Sequence, residues 1–155
     1  MGIESRPSQN IEWEQKLNDI LERLNILPKI PGPVFEVVSK GKKFRAETVF
    51  IKPLELAQEG YEELLRGNLS DKTYYMFIRD ESSEVIAIRI SSLDITTKKI
   101  GIRSSIEVRD KGKGLATPVD SIFTSFLQYL ANEYNQAVEW QVQNENQEKG
   151  NLYDL

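Results

Sequence analysis

Cysteine and histidine are both absent from this 155-residue chain. Their absence excludes several chemistries together: disulfides, zinc sites of the usual kind, cysteine nucleophiles and Ser-His-Asp triads. No metal site is expected, and acid–base work falls to Glu, Asp, Tyr, Lys or water. Ser104 and Ser105 have no histidine to activate them and read as non-nucleophilic. Long apolar runs are lacking too. None reaches the roughly 18 residues of a membrane span, and "MGIESRPSQN" has neither the positive start nor the apolar core of a secretory signal. A cytoplasmic protein without membrane contact is the expectation. An excess of positive charge is also missing, since the net charge is −4, which argues against a nucleic-acid partner.

What is present suits one folded domain. With 39% hydrophobic and 28% charged residues, the chain is long enough for one packed core and short for two. The charge is uneven. Between Lys98 and Lys113 stand Lys98, Lys99, Arg103, Arg109, Lys111 and Lys113 against only Glu107 and Asp110. A positive island on an acidic chain points to a small anionic ligand held at one place.

Periodicity divides the chain into elements. Ile11, Leu17, Ile20, Leu21 and Leu24 share helical spacing over residues 11–26, and "LPKIPGPVF", with three prolines, reads as a rigid connector. "VFEVVSK" and "KFRAETVFI" predict a hairpin around Lys40-Gly41. A helix is predicted from Pro53 to Gly67. Three strands follow, "TYYMFIRD", "EVIAIRISS" and "KKIGIRSSIEVR", divided by the turn signals "DESS" and "LDITT". In the third, Ile100, Ile102, Ser104, Ile106 and Val108 alternate with Gly101, Arg103, Ser105, Glu107 and Arg109, giving an apolar and a polar face. A long helix starts near Gly114, because Pro118 is tolerated only in a first turn, and runs to Asn132. "AVEWQV" predicts a last strand, and "NENQEKGNLYDL" a short terminal helix or turn. Trp13, Trp140 and the phenylalanines of the long helix are most simply core.

The stretch "RDKGKGLATPVD" carries the chemistry. A strand, a glycine-rich turn and a helix in that order point unpaired backbone N–H groups out of the positive end of a helix dipole. That is an anion site. Gly112 and Gly114 let the turn fold into a nest that phosphate oxygens approach closely, and Arg109, Lys111 and Lys113 add mobile positive charge. The spacing is neither that of the NTPase phosphate loop nor that of the dinucleotide fingerprint, whose third glycine is replaced by Thr117.

Arg109-x-x-Gly112-x-Gly114, followed by Leu115-Ala116, resembles the pyrophosphate-binding signature Arg/Gln-x-x-Gly-x-Gly/Ala of the GNAT family of acyl-CoA-dependent N-acetyltransferases. The element order from Arg45 onward is similar to that family's, and Asn146 stands seven residues before Tyr153, as in the family's Asn-to-Leu-Tyr ending. The resemblance implies an α/β fold with a mixed, mostly antiparallel sheet flanked by helices. An N-terminal helix and connector would occupy residues 1–34 and an acyl-CoA-binding domain residues 35–155. It implies acetyl-CoA or a related acyl-CoA as donor, and a small-molecule or peptide amine as acceptor. Arg109, Lys111, Gly112, Lys113, Gly114 and Ala116 would bind the pyrophosphate, Ile106 and Val108 the pantetheine arm through their backbone, and Asn146 would assist. Tyr153 would protonate the departing thiolate and Glu107 would take the proton of the amine.

Two departures shape the remaining expectations. Asp110 replaces the family's common aromatic, setting an acid close to the expected phosphates. The family's last two strands are lacking, so the sheet is expected to end after residues 137–142. Either the N-terminal region or a second copy of the chain, as a homodimer, then covers the exposed apolar surface. The weak base and the missing strands leave open a non-catalytic module that senses acyl-CoA or binds a protein partner. A plain anion- or nucleotide-binding domain is a third reading.

Overall fold

The computed structural model describes residues 8–110, 114–142 and 149–152. Seven strands form one sheet in sequence order: β1 (Ile30–Ser39), β2 (Lys42–Ile51), β3 (Lys72–Arg79), β4 (Val85–Ile95), β5 (Lys99–Val108), β6 (Ala137–Val142) and β7 (Lys149–Leu152). Helix α1 (Ser8–Ile26) precedes β1, the short α2 (Pro53–Gln58) and α3 (Glu62–Leu65) link β2 to β3, and α4 (Ala116–Tyr134) links β5 to β6. The fold is α/β with a mostly antiparallel sheet. Every neighbouring pair is antiparallel except β5 and β6. A parallel pair cannot be joined by a hairpin and needs a crossover, which is what α4 supplies.

The pleat of the strands sorts their residues onto two faces. Tyr74, Met76, Ile78, Ile100 and Ile102 pack against Val119, Ile122, Phe126 and Leu130 of α4. Tyr75, Phe77 and Ile88 face the other way, against Trp13, Ile20, Leu24 and Leu27 with Leu56 and Leu65 of the short helices. The N-terminal helix is thus part of the fold's second core. Its buried stripe differs from the expected one: Ile11 and Leu21 are each 45% exposed, whereas Trp13 is 7% exposed. A stripe through residues 13, 20, 24 and 27 is the one that meets the sheet.

Several boundaries correct the sequence reading. The proline-rich connector is the start of β1, with Pro31 paired to Val49 and a bulge between Pro31 and Val34. An edge strand tolerates prolines because one row of its N–H groups has no ladder partner to lose. Gly32 is required by close approach, since a Cβ there would meet Thr48 Oγ1 at 2.4 Å. The single helix expected after Pro53 breaks at Gly60, whose φ is 99°. "LDITT" is not a five-residue turn. Leu93, fully buried, pairs with Ile102 and extends β4, and the reversal tightens to Thr96–Lys99, where the Thr96 hydroxyl accepts from the N–H groups of Lys98 and Lys99. The sheet does not end at β6, because residues 149–152, expected as helix or turn, pair with it as β7. No helix among the described residues is long and apolar enough to cross a membrane.

Candidate anion site at the glycine turn

β5 leads into the turn and α4 leaves it. The parallel ladder of β5 with β6 spans Lys99/Ala137 to Ser104/Val142, and β5 runs on from Ser105 to Val108, with Ile106 opposite Arg89 and Val108 opposite Ala87 of β4. The Ile106 side chain is buried on the α4 face, and that of Val108 is half-buried. On the far side of the turn, Gly114 takes a φ of 72°, the left-handed region that glycine enters without penalty. Leu115 occupies the N-cap position without a side-chain cap. The first intrahelical bond runs from the Val119 N–H to the Leu115 carbonyl, and Pro118 has no N–H to satisfy. Exposed Ala116 is the first helical residue. The N-terminus of α4 therefore faces outward with its dipole unopposed by a capping carboxylate. Lys111, Gly112, Lys113, Asn146 and Tyr153 lie outside the described residues.

Arg109 is held rather than mobile, which corrects the expectation of free charge. Its Nε donates to Asp110 Oδ2 and its Nη1 to Glu84 Oε1, both at 2.9 Å. Burial of the guanidinium works against its charge, but the hydrogen bonds and charges of Asp110 and Glu84 outweigh this and raise its pKa. Asp110, the acid set close to the expected phosphates, is thus paired to Arg109, which it shares with Glu84. A guanidinium has five N–H donors, so two such bonds leave others to face a ligand.

Glu107 projects on the polar face of β5, toward α1, where Lys16 Nζ approaches its Oε1 to 2.7 Å. At the other end of β5, Leu152 pairs with Val138, which pairs with Ile100. The last described residue of β7 thus stands at the level of Ile100, six positions before Ile106.

Two groups escaped the sequence reading. A cavity of about 540 Å3 beside Gly114 and Leu115 is also lined by Lys40, Lys42 and Lys43 of the β1–β2 hairpin and by Asp80 and Glu81 of the β3–β4 turn. "KGKK" is a visible basic run, but only strand pairing brings it to Gly114. The second is Arg89, 1% exposed on the α4 face. Its Nη1 donates to Ser104 Oγ at 2.9 Å and its Cζ lies 3.9 Å from the centroid of the Phe123 ring. A charged residue at an inward position of "EVIAIRISS" was the available signal. No family model matches the chain, and no curated protein matches it.

Proposed function

We propose that the chain binds an acyl-CoA at the glycine turn and transfers its acyl group, acetyl or a related one, to a primary amine. One observation carries the reading: the single parallel pair among the described strands, β5 and β6, is joined through Arg109–Gly114 and an uncapped α4. Gly114 at positive φ and the open helix terminus suit a pyrophosphate. In this reading Arg109 and the residues from Lys111 to Ala116 bind the phosphates, and Asn146 assists. The backbone of Ile106 and Val108 holds the pantetheine arm and polarises the thioester carbonyl. A carbon–nitrogen bond forms to the amine as the carbon–sulfur bond breaks. Glu107, directly or through water, takes the amine proton, and Tyr153 protonates the leaving thiolate.

A second reading is a non-catalytic acyl-CoA-binding module. The ion pair of Glu107 with Lys16 and the position of Leu152 beside Val138 favour it. The discriminating experiment follows free-thiol release from acetyl-CoA with amines, peptides and aminoglycosides, alongside calorimetric binding of CoA. Turnover that falls by about 10²–10⁴ in Tyr153→Phe with CoA affinity unchanged supports the enzyme. Binding without turnover on any acceptor supports the module, and no binding overturns both.

A further inference from the structure

Strand pairing gathers three turns at one end of the sheet: the β1–β2 tip, the β3–β4 turn and the chain leaving β5. They share the cavity beside Gly114. The β1–β2 tip is tight. Ser39 pairs with Lys42, leaving only Lys40 and Gly41 between the strands, and their φ values of 52° and 77° fit a two-residue primed turn. Such a turn presents Lys40, Lys42 and Lys43 from a rigid ladder, with side-chain freedom only beyond Cα.

The acids on the cavity wall are already engaged. Asp110 is paired to Arg109, Asp80 Oδ1 accepts from the N–H groups of Ser82 and Glu84, and Glu81 Oε2 accepts from the Lys43 N–H. The ammonium groups of Lys40, Lys42 and Lys43 have no hydrogen-bond or ion-pair partner among the described residues. Three residues with uncommitted ammonium groups thus line a cavity that also takes in the start of α4.

We infer that Lys40, Lys42 and Lys43 bind a second phosphate of the ligand, a monoester distinct from the pyrophosphate at the glycine turn. On that basis the site selects 3′-phosphorylated CoA over its dephospho form. The inference rests on the acyl-CoA reading and deepens it. The two phosphates call for different partners. A pyrophosphate on a helix terminus is held by backbone N–H groups, whereas at the hairpin the Lys43 N–H is already given to Glu81 Oε2. What the hairpin offers is ammonium groups, compact point charges suited to a monoester of nearly two negative charges.

Calorimetry on the full chain with CoA and with dephospho-CoA tests this. The parent protein should bind CoA about tenfold or more tightly. In the variant with Lys40→Gln, Lys42→Gln and Lys43→Gln, that preference should vanish while affinity for dephospho-CoA stays at the parent's level. Replacing the same three by Arg should keep the preference. If the triple Gln variant loses its cooperative melt, the single variants Lys42→Gln and Lys43→Gln should each reduce the preference. Parent protein that binds both ligands equally, or a folded triple Gln variant that keeps the preference, overturns the hairpin's role and leaves the glycine turn standing. Parent protein that binds neither ligand overturns the acyl-CoA reading and this one together.

Discussion

Lys16 Nζ lies 2.7 Å from Glu107 Oε1, tying the N-terminal helix to the end of the strand that enters the glycine turn. The carboxylate assigned to the amine's proton is therefore one half of an ion pair. With the two side chains 49% and 38% exposed, the pair is worth no more than about 1 kcal/mol.

Glu107→Gln separates structure from chemistry. Thermal stability should change by less than about 1 kcal/mol, while turnover falls by about 10²–10⁴ if the carboxylate is the general base. Melting curves and thiol release on the same preparation check both. Unaltered turnover removes Glu107 from the mechanism.

Gly114 offers a paired test of the anion site. A Cβ there would meet no atom within 4 Å, yet the backbone sits at a φ of 72°. Gly114→Ala should then cost only the strain of a left-handed residue, about 1–2 kcal/mol. Gly114→Asp adds negative charge where a phosphate is proposed and should abolish CoA binding in a folded protein. Equal CoA affinity of the Ala and Asp variants in calorimetry would remove the anion from this turn.

The legible parts of the molecule are those whose order is local. β5 shows its alternation residue by residue, β3 and β4 are largely apolar runs buried on both faces between turn signals, and the Lys40-Gly41 turn declares the hairpin. Residues 30–33 hid as a connector because prolines signal breaks, whereas here an edge position and a bulge absorb them. β7, "KGNL", has no periodic signal and exists by pairing with β6. Trp13, Leu17, Ile20, Leu24 and Leu27 pack together and stand at 4-3-4-3 spacing, so the stripe that takes Trp13 rather than Leu21 is itself written in the helical periodicity. The left-handed Gly114 ahead of α4 is legible as a glycine before a helix start. The lysines across the cavity are not, because strand pairing places them there.

Glu47 gives a pH test with a definite sign. The hydrogen bond from Arg79 lowers its pKa, burial works against this, and the bond from Arg45 adds to the lowering. A carboxylate depressed in the folded state stabilises the protein above its unfolded value, about 4.3, and loses that contribution as pH falls through the folded value. Its side chain is 41% exposed, so the contribution is well under about 1 kcal/mol. The Tm gap between the parent and Glu47→Gln should be small at pH 7 and close below pH 4. A gap that widens in acid would contradict the assignment.

The last prediction concerns α1. Trp13, Ile20, Leu24 and Leu27 are 7%, 4%, 4% and 3% exposed, packed on the face opposite α4 with Tyr75, Phe77 and Ile88. At about 1.5–3 kcal/mol for each buried side chain, their removal approaches the whole stability of a typical domain, about 5–15 kcal/mol. That sum is an upper bound, because an unfolded chain already buries some apolar surface. Deleting residues 1–29, which spares β1, should therefore abolish cooperative folding, seen as dye binding and a lost thermal transition. A graded control comes from single sites. Leu24→Ala should cost about 2–5 kcal/mol, whereas Leu21→Ala, at a position 45% exposed, should stay within about 0.5 kcal/mol. Equal melting temperatures for these two variants would show that the helix does not rest on the sheet through this stripe. A deletion that stayed soluble and melted like the parent would make α1 an appendage.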